Sequence, residues 1–292
     1  SLTAAGVVAK VRKLDAALAE HAVATSSLRS HEAIRVAALG DEASLTADLA
    51  KVVAAARERA ALATVVDEFR AAKAHSGVMD FSDMMRLMHQ TAFGSDEPVR
   101  LIRERFGAVL LDEYQDTSVV QRTVLQRLFG EGHPVLAVGD PKQAIYGFRG
   151  AAQGNIEAFP QHFPRADGVP ADVYTLRSNF RSGPTIVAIA NGSAAAQAAA
   201  SIAVQPPMET GADRQDAVTV RVFESQPEEA AFVIQTVKDE LAEGRDPEQI
   251  LILARANREV GEYAMGLEAA GIAAASSVDA GLFDVPVVGD VL

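Results

Sequence analysis

The stretch Ala108-Val109-Leu110-Leu111-Asp112-Glu113-Tyr114-Gln115-Asp116-Thr117 decides the fold. An unbroken apolar run ends on two acids. A half-exposed strand would alternate polar and apolar residues, so this run reads as a strand of a parallel sheet with both faces covered. A helical pattern follows, carried by Val120, Val124, Leu125 and Leu128. Next comes Pro134-Val135-Leu136-Ala137-Val138-Gly139-Asp140, a second such strand that ends in a polar loop. Val173-Tyr174-Thr175-Leu176 is a third candidate. Strands alternating with helices predict an α/β fold with a parallel sheet, and ligands of such sheets bind at the carboxyl ends of the strands. The polar clusters of this chain begin at those ends.

Upstream, the first hundred or so residues read as helices. Val7, Val11, Leu14 and Leu18 recur at helical spacing, as do Leu45, Leu49, Val52 and Val53. Gly40-Asp41 marks a break between two long helices. An all-helical segment that packs on something else is the expectation here. Downstream, Ser182-Gly183-Pro184 reads as a turn and helix start, with Pro early in the helix. Gln205–Asp216 reads as a loop or linker. Val218–Phe223, a helix through Ala230–Leu241, and Ile250–Leu253 predict a second β-α-β unit. The apolar residues of Gly281–Leu292 have no partner in view, so the chain is expected to stop within a domain.

Composition narrows the chemistry. The 292 residues suit about two domains. With no Cys, disulfides, zinc-thiolate sites and thiol nucleophiles are excluded. No apolar run reaches the length of a membrane span, and the start Ser1-Leu2-Thr3 carries no signal-peptide pattern, so the expected location is cytoplasmic and membrane-free. The net charge of −12 argues against a nucleic-acid binder. Its distribution weakens that argument, because residues 206–292 hold 6 basic and 17 acidic side chains while residues 80–205 hold 11 and 13. The middle of the chain is free to present a local basic groove.

Three clusters could carry chemistry. In the first, a carboxylate at a strand end (Asp112) suits a hydrated Mg²⁺ bound to nucleotide phosphates, and an adjacent one (Glu113) suits a base for an attacking water. An acid pair there is more often a solvated strand end or a helix N-terminal acid pair. The second cluster is Gly139-Asp140-Pro141-Lys142-Gln143-Ala144-Ile145-Tyr146-Gly147-Phe148-Arg149-Gly150-Ala151. Gln143 could sense a phosphate, and Tyr146 and Phe148 could stack on bases, or the segment is a Gly/Pro turn with aromatics tucked into the core. The third is Thr175-Leu176-Arg177-Ser178-Asn179-Phe180-Arg181-Ser182, where Arg181 suits either a transferring phosphoryl group or an ordinary salt bridge.

Taken together, the clusters resemble motifs of the UvrD/Rep/PcrA and RecB-type superfamily 1A helicases. Asp112–Thr117 looks like Walker B, with Tyr114 where Phe is common. Gly139–Ala151 resembles motif III, with Phe148 where many members have Trp. Leu176–Ser182 resembles motif IV. Asp80-Phe81-Ser82-Asp83-Met84-Met85 is similar to the short motif preceding Walker B, and Leu253-Ala254-Arg255-Ala256-Asn257 to a second-domain segment.

The resemblance implies a RecA-like P-loop NTPase core using ATP and Mg²⁺. It implies that Asp112 holds the metal through water, Glu113 activates the hydrolytic water, and Gln143 couples the γ-phosphate to the DNA site. Tyr146 and Phe148 would stack on single-stranded DNA with Arg149 beside them. Arg181 would be the arginine finger, and Arg255 and Asn257 would touch the DNA backbone. The implied segments are 1–79 as part of a helical insert, 80–182 as the latter half of the first RecA-like domain, and 183–292 as the first part of the second.

The implied function is a DNA-stimulated ATP hydrolase: a helicase of repair or recombination acting on single-stranded DNA or its duplex junctions. The RecB-like side of the resemblance implies a partner helicase–nuclease subunit. A P-loop needs Gly-Lys, and no Gly-Lys pair occurs in the chain. Negligible ATPase activity is therefore expected of this chain alone. The competing reading is an inactive helicase-like DNA-binding scaffold, which has no need for Asp112, Glu113, Gln143 and Arg181 together. A kinase-like enzyme would have no use for the loop bearing Tyr146 and Phe148.

Overall fold

The computed structural model describes residues 3–39, 46–147, 150–152, 154–198, 207–213 and 216–276. The chain divides into two compact units, Ser1–Arg177 and Ser178–Leu292.

The first unit opens with helices α1 (Ala4–Glu20), α2 (Thr25–Ala38) and α3 (Ala47–His75). Thr3 and Thr46 cap α1 and α3 with their hydroxyls, each accepting a backbone N–H of the first turn. The predicted stripe is the packing face: Val11 and Leu18 of α1 meet Val66 of α3, with Val7, Leu14, Leu62 and Phe69 around them. The predicted break at Gly40-Asp41 lies outside the described residues, as does Leu45.

Helices α4 (Phe81–Gly94) and α5 (Asp96–Arg105) follow. Asp80 and Asp83 form a reciprocal capping box at the start of α4. They also take part in an ion network. Lys73 at the end of α3 places its ammonium 3.1 Å from Asp15, 2.9 Å from Asp80 and 2.8 Å from Asp83. Arg70 adds a 2.7 Å contact to Asp15 and Arg86 a 3.2 Å contact to Asp83. Asp15, Asp80 and Asp83 each bring a carboxylate oxygen within 4.8 Å of the others, a spacing that suits a metal ion, but the Lys73 ammonium already sits among them. The network ties α1, α3 and α4 together, which is the structural work of the Asp80–Asp83 motif.

Strands β1 (Val109–Leu111) and β2 (Val135–Ala137) pair in parallel, Leu110 opposite Leu136, with α6 (Val119–Phe129) as the crossover. Ser118 and Gln121 form the capping box that starts α6. The inner face of the pair, with Val109, Leu111, Val135 and Ala137, packs on Tyr114, Phe129, Phe163 and Ile156. Its outer face is open among the described residues, with Leu110 77 % and Leu136 55 % exposed. The sequence predicts cover on both faces, and the structure covers one. The short helix α7 (Phe159–His162) closes the aromatic cluster, with Phe159 edge-on to Tyr114 at 5.3 Å.

The second unit holds β3 (Ser178–Asn179) paired in parallel with β4 (Glu209–Thr210), then α8 (Pro184–Ala198), α9 (Gln226–Ala242) and α10 (Asn257–Ala269). Helix α8 begins at the predicted Pro184, and the Asp216 carboxylate accepts the N–H groups of Thr185 and Ile186 at its first turn. These bonds, that from Ile186 foremost, hold the Asp216 carboxyl below its ordinary pKa.

Three predicted strands differ. Residues 173–176, 218–223 and 250–253 make no ladder, and Leu176, Val222 and Leu253 stand exposed. An apolar run becomes a strand only when neighbours take its N–H and C=O groups, and among the described residues none flank these three. The sheets here are therefore short and two-stranded. Residues 281–292 lie outside the described residues.

Candidate active site

The carboxyl ends of β1 and β2 are held together by backbone bonds that extend the ladder. Val138 donates to Leu111 at 2.8 Å, and Tyr114 donates to Val138 at 3.0 Å. This second bond anchors a sharp reversal. Glu113 takes the left-handed conformation, φ 50° and ψ 40°, and a 3-10 turn follows over Tyr114–Asp116. A non-glycine residue in that region carries a strain of about 1–3 kcal/mol. The reversal sends Tyr114 into the aromatic core and leaves Asp112 and Glu113 exposed at the strand end. Burial pushes the Tyr114 hydroxyl up to about pKa 12.

Asp112 accepts the Glu113 N–H at 3.0 Å. Glu113 in turn is held by Gln115, whose Nε2 donates to Glu113 Oε2 at 2.7 Å. Gln115 is 2 % exposed, and its Oε1 accepts the N–H of Asp140 at 3.1 Å. Asp140 caps the next 3-10 turn, Pro141–Gln143, accepting Lys142 N–H at 2.9 Å and Gln143 Nε2 at 3.0 Å. A continuous hydrogen-bonded chain therefore runs from Glu113 through Gln115 and Asp140 to Gln143. Gly139 lies close beside it: a Cβ there would run into Gln115 Oε1 and stand 2.8 Å from Ile156 Cδ1, so one of these side chains would have to shift.

The far end of the same loop is also tied to the first cluster. Ala151 bridges Ser118, Ala152 donates to Thr117 at 3.2 Å, and the buried Asn155 amide donates to the Thr117 carbonyl at 2.7 Å. Tyr146 lies between these anchors, exposed, its carbonyl accepting the Ala151 N–H at 3.3 Å. Phe148 and Arg149 lie outside the described residues.

The structure thus gathers Asp112, Glu113, Gln143 and Tyr146 on one frame. In the second unit, Arg181 follows β3 in a turn shaped by Asn179, whose Oδ1 accepts the N–H groups of Arg181 and Ser182 at 2.9 Å each. Arg255 and Asn257 are exposed at the start of α10. A cavity of about 440 Å³ in this unit is walled by Arg221, Glu229, Glu259 and Tyr263 and by none of the predicted residues. Gln115 is the residue that reading by motif left without a role. Its signal was available: an amide between two acids, two positions after a candidate base.

The sequence profile of the UvrD/REP helicase N-terminal domain matches residues 7–164, and that of the UvrD-like helicase C-terminal domain matches residues 174–292. The chain belongs to the UvrD/Rep helicase family. It is 31 % identical over 234 residues to the ATP-dependent DNA helicase UvrD2 of Mycobacterium tuberculosis, covering 76 % of this chain and 32 % of that protein. It is 34 % identical over 127 residues to DNA helicase II of Escherichia coli, covering 44 % of this chain and 17 % of that one. It is 38 % identical over 126 residues to the RecBCD enzyme subunit RecB of M. tuberculosis, covering 43 % and 11 %. The chain spans about a third or less of the length of these UvrD/Rep relatives. No described helix is long and apolar enough to cross a membrane.

Proposed function

We propose that the protein bearing these residues is an ATP-dependent DNA helicase or translocase of repair or recombination, which couples ATP hydrolysis to movement along single-stranded DNA. The observation that carries this reading is the frame joining the exposed Asp112–Glu113 pair to the loop of Gln143 and Tyr146. A motor needs its hydrolytic base and its nucleic-acid loop mechanically connected, and an inert scaffold does not.

In this reading Asp112 holds Mg²⁺ through water. The donor chemistry fits, since Asp112 is an exposed carboxylate at a strand end and Mg²⁺ takes hard oxygen ligands while keeping several waters. The bound MgATP supplies the phosphoryl group to be transferred. Glu113 orients and deprotonates the attacking water, and its fixed backbone aims the carboxylate before substrate arrives. Gln143 reads the γ-phosphate. Arg181 is the arginine finger that balances charge on the transferring group. Tyr146 and Phe148 stack on bases, a contact that tolerates any sequence, with Arg149 beside them. Arg255 and Asn257 contact the DNA backbone.

The core is RecA-like, with residues 1–79 as part of a helical insert, 80–182 in the first motor domain and 183–292 in the second. Single-stranded DNA or its junction with duplex is the partner, and the likeness to RecB raises a helicase–nuclease companion subunit. Residues 1–292 contain no Gly-Lys pair to cradle the phosphates, so by themselves they turn over ATP negligibly.

The test is single-stranded-DNA-stimulated ATP hydrolysis by the intact protein beside its Glu113→Gln variant. The amide still accepts the Gln115 bond, so the fold survives while the base is lost. A fall in kcat of about 10²–10⁴ is expected. DNA binding without hydrolysis in the unsubstituted protein would favour the scaffold instead.

A further inference from the structure

The frame described above contains one side chain whose every polar atom is spent on other residues' positions. Gln115 is buried, its amide nitrogen is bonded to the Glu113 carboxylate, and its amide oxygen is bonded to the backbone of Asp140. Both ends are engaged within the protein. Gly139 approaches Gln115 Oε1 so closely that a Cβ there would have to displace the amide. An amide is the group this place demands. A carboxylate could not donate to Glu113, and an apolar side chain would leave the Asp140 N–H unmet.

We propose that Gln115 is a positioning residue for hydrolysis, whose buried amide clamps the Glu113 carboxylate with one end and the Asp140 backbone with the other, so that the base and the loop bearing Gln143 move as one body. This rests on the reading of Glu113 as the hydrolytic base. It goes further in assigning the mechanical link between base and loop to one amide.

Two features make the link stiff. Glu113 sits in a left-handed conformation, so its backbone has few alternative ways to aim the side chain. Asp140 is itself committed, capping the turn that contains Gln143. A shift of the loop in response to DNA therefore pulls on the Asp140 N–H, then on the Gln115 amide, then on the Glu113 carboxylate. A displacement of about 1 Å at a catalytic group can lower the rate by about a hundredfold.

Substitutions separate the two arms. Gln115→Met keeps the length and burial and removes both bonds. Gln115→Glu keeps an oxygen that accepts from Asp140, replaces the amide donor to Glu113 and sets a second carboxyl against it, so the base is no longer clamped by a neutral donor. In the intact protein with saturating single-stranded DNA, both variants are expected to lose about a hundredfold in kcat with KM for ATP nearly unchanged. Binding of a fluorescent ATP analogue, read at equilibrium, is expected to match the unsubstituted protein. In a Glu113→Gln background, where there is no base left to aim, Gln115→Met is expected to lower kcat little further.

The outcomes divide cleanly. If the unsubstituted protein shows no DNA-stimulated hydrolysis, the helicase reading fails and takes this inference with it. If it hydrolyses ATP and Gln115→Met and Gln115→Glu do so equally well, the inference alone is overturned. If Gln115→Met lowers kcat by the same factor with Glu113 and without it, Gln115 is a packing residue and the inference is overturned too. Should Gln115→Met fail to fold, Gln115→Glu decides.

Discussion

Lys73 offers the sharpest test of how the helical part is held to the rest of the first unit. Its side chain is 10 % exposed, and it faces Asp15 at 3 %, Asp83 at 6 % and the more open Asp80 at 45 %. Burial works against the ammonium, but the hydrogen bonds it donates to Asp83, Asp80 and Asp15 outweigh it and leave the Lys73 pKa raised. Burial likewise opposes the Asp83 carboxylate, and the bonds it accepts from Lys73, the Asp80 backbone and Arg86 together outweigh it and leave that pKa lowered.

Lys73→Met keeps the stem and removes the charge. Asp15 and Asp83 are then buried against each other with only Arg70 and Arg86 at the margin. Breaking a buried pair from one side costs about 3–5 kcal/mol. Asp80 is exposed enough to add less than about 1 kcal/mol. For a unit of this size the loss corresponds to a fall in Tm of about 6–20 °C.

The pH dependence checks the mechanism. In the unsubstituted protein Asp83 has a folded pKa below its ordinary value of 3.8, so its contribution is present above that value and is lost as pH falls through the folded one. Lys73 has a folded pKa above its ordinary 10.5, so its contribution is present below that value and is lost as pH rises through the folded one. In Lys73→Met the Asp83 carboxyl loses the bond and charge of its main cation, and its burial then weighs against the ionised form. The deficit of the variant is thus largest at neutral pH and shrinks as pH falls towards that of the unfolded carboxyls. The chain has no Trp, so urea unfolding followed by far-UV circular dichroism is the assay. A loss under about 1 kcal/mol at neutral pH, below the range for breaking a buried pair, would refute the argument, as would a deficit that stays constant on acidification.

Two further outcomes follow at the carboxyl ends of β1 and β2. Tyr114 is 1 % exposed and its hydroxyl has no hydrogen-bond partner among the described residues, so Tyr114→Phe is expected to raise stability by about 1 kcal/mol, with a drop in Tm as the contrary result. Gly139→Ala forces a Cβ against Gln115 Oε1 and Ile156, so it is expected to cost about 1–3 kcal/mol and to lower kcat; a variant with unchanged Tm and kcat would show that the contact yields freely.

The sequence was readable where one local rule settles the outcome. Strands β1 and β2 follow from apolar runs, α6 from its periodic Val120, Val124, Leu125 and Leu128 together with the Ser118–Gln121 box, and α8 from Pro184. Residues 173–176, 218–223 and 250–253 carry the same apolar signal and make no ladder, because pairing is a property of two segments and the run describes only one. Strands β3 and β4 gave no signal at all. Ser178, Asn179, Glu209 and Thr210 are polar, and their short pairing is braced by local bonds, including those between Asn191 and Met208. At the site, motif reading picked the exposed groups that suit chemistry, Asp112, Glu113 and Gln143. It passed over the buried groups that frame them, Gln115 and Asn155, whose partners are distant in sequence and visible only once the two loops are set side by side.

That division has a physical basis in the strain at Glu113. Among the described residues, only Ala22 and Glu113 are non-glycine residues with positive φ. At Glu113 a glycine would relieve the strain but abolish the carboxylate. The conformation persists because the surroundings over-determine it: Tyr114 is pinned by its backbone bond to Val138 and by the aromatic cluster, and the Glu113 carboxylate is pinned by Gln115. A side chain that served only to solvate a strand end would have no reason to sit in a strained backbone held from both sides. The strain, the clamp and the exposed carboxylate occur at one residue, and in the proposed reading that coincidence singles out Glu113, ahead of its neighbour Asp112, as the group to be aimed.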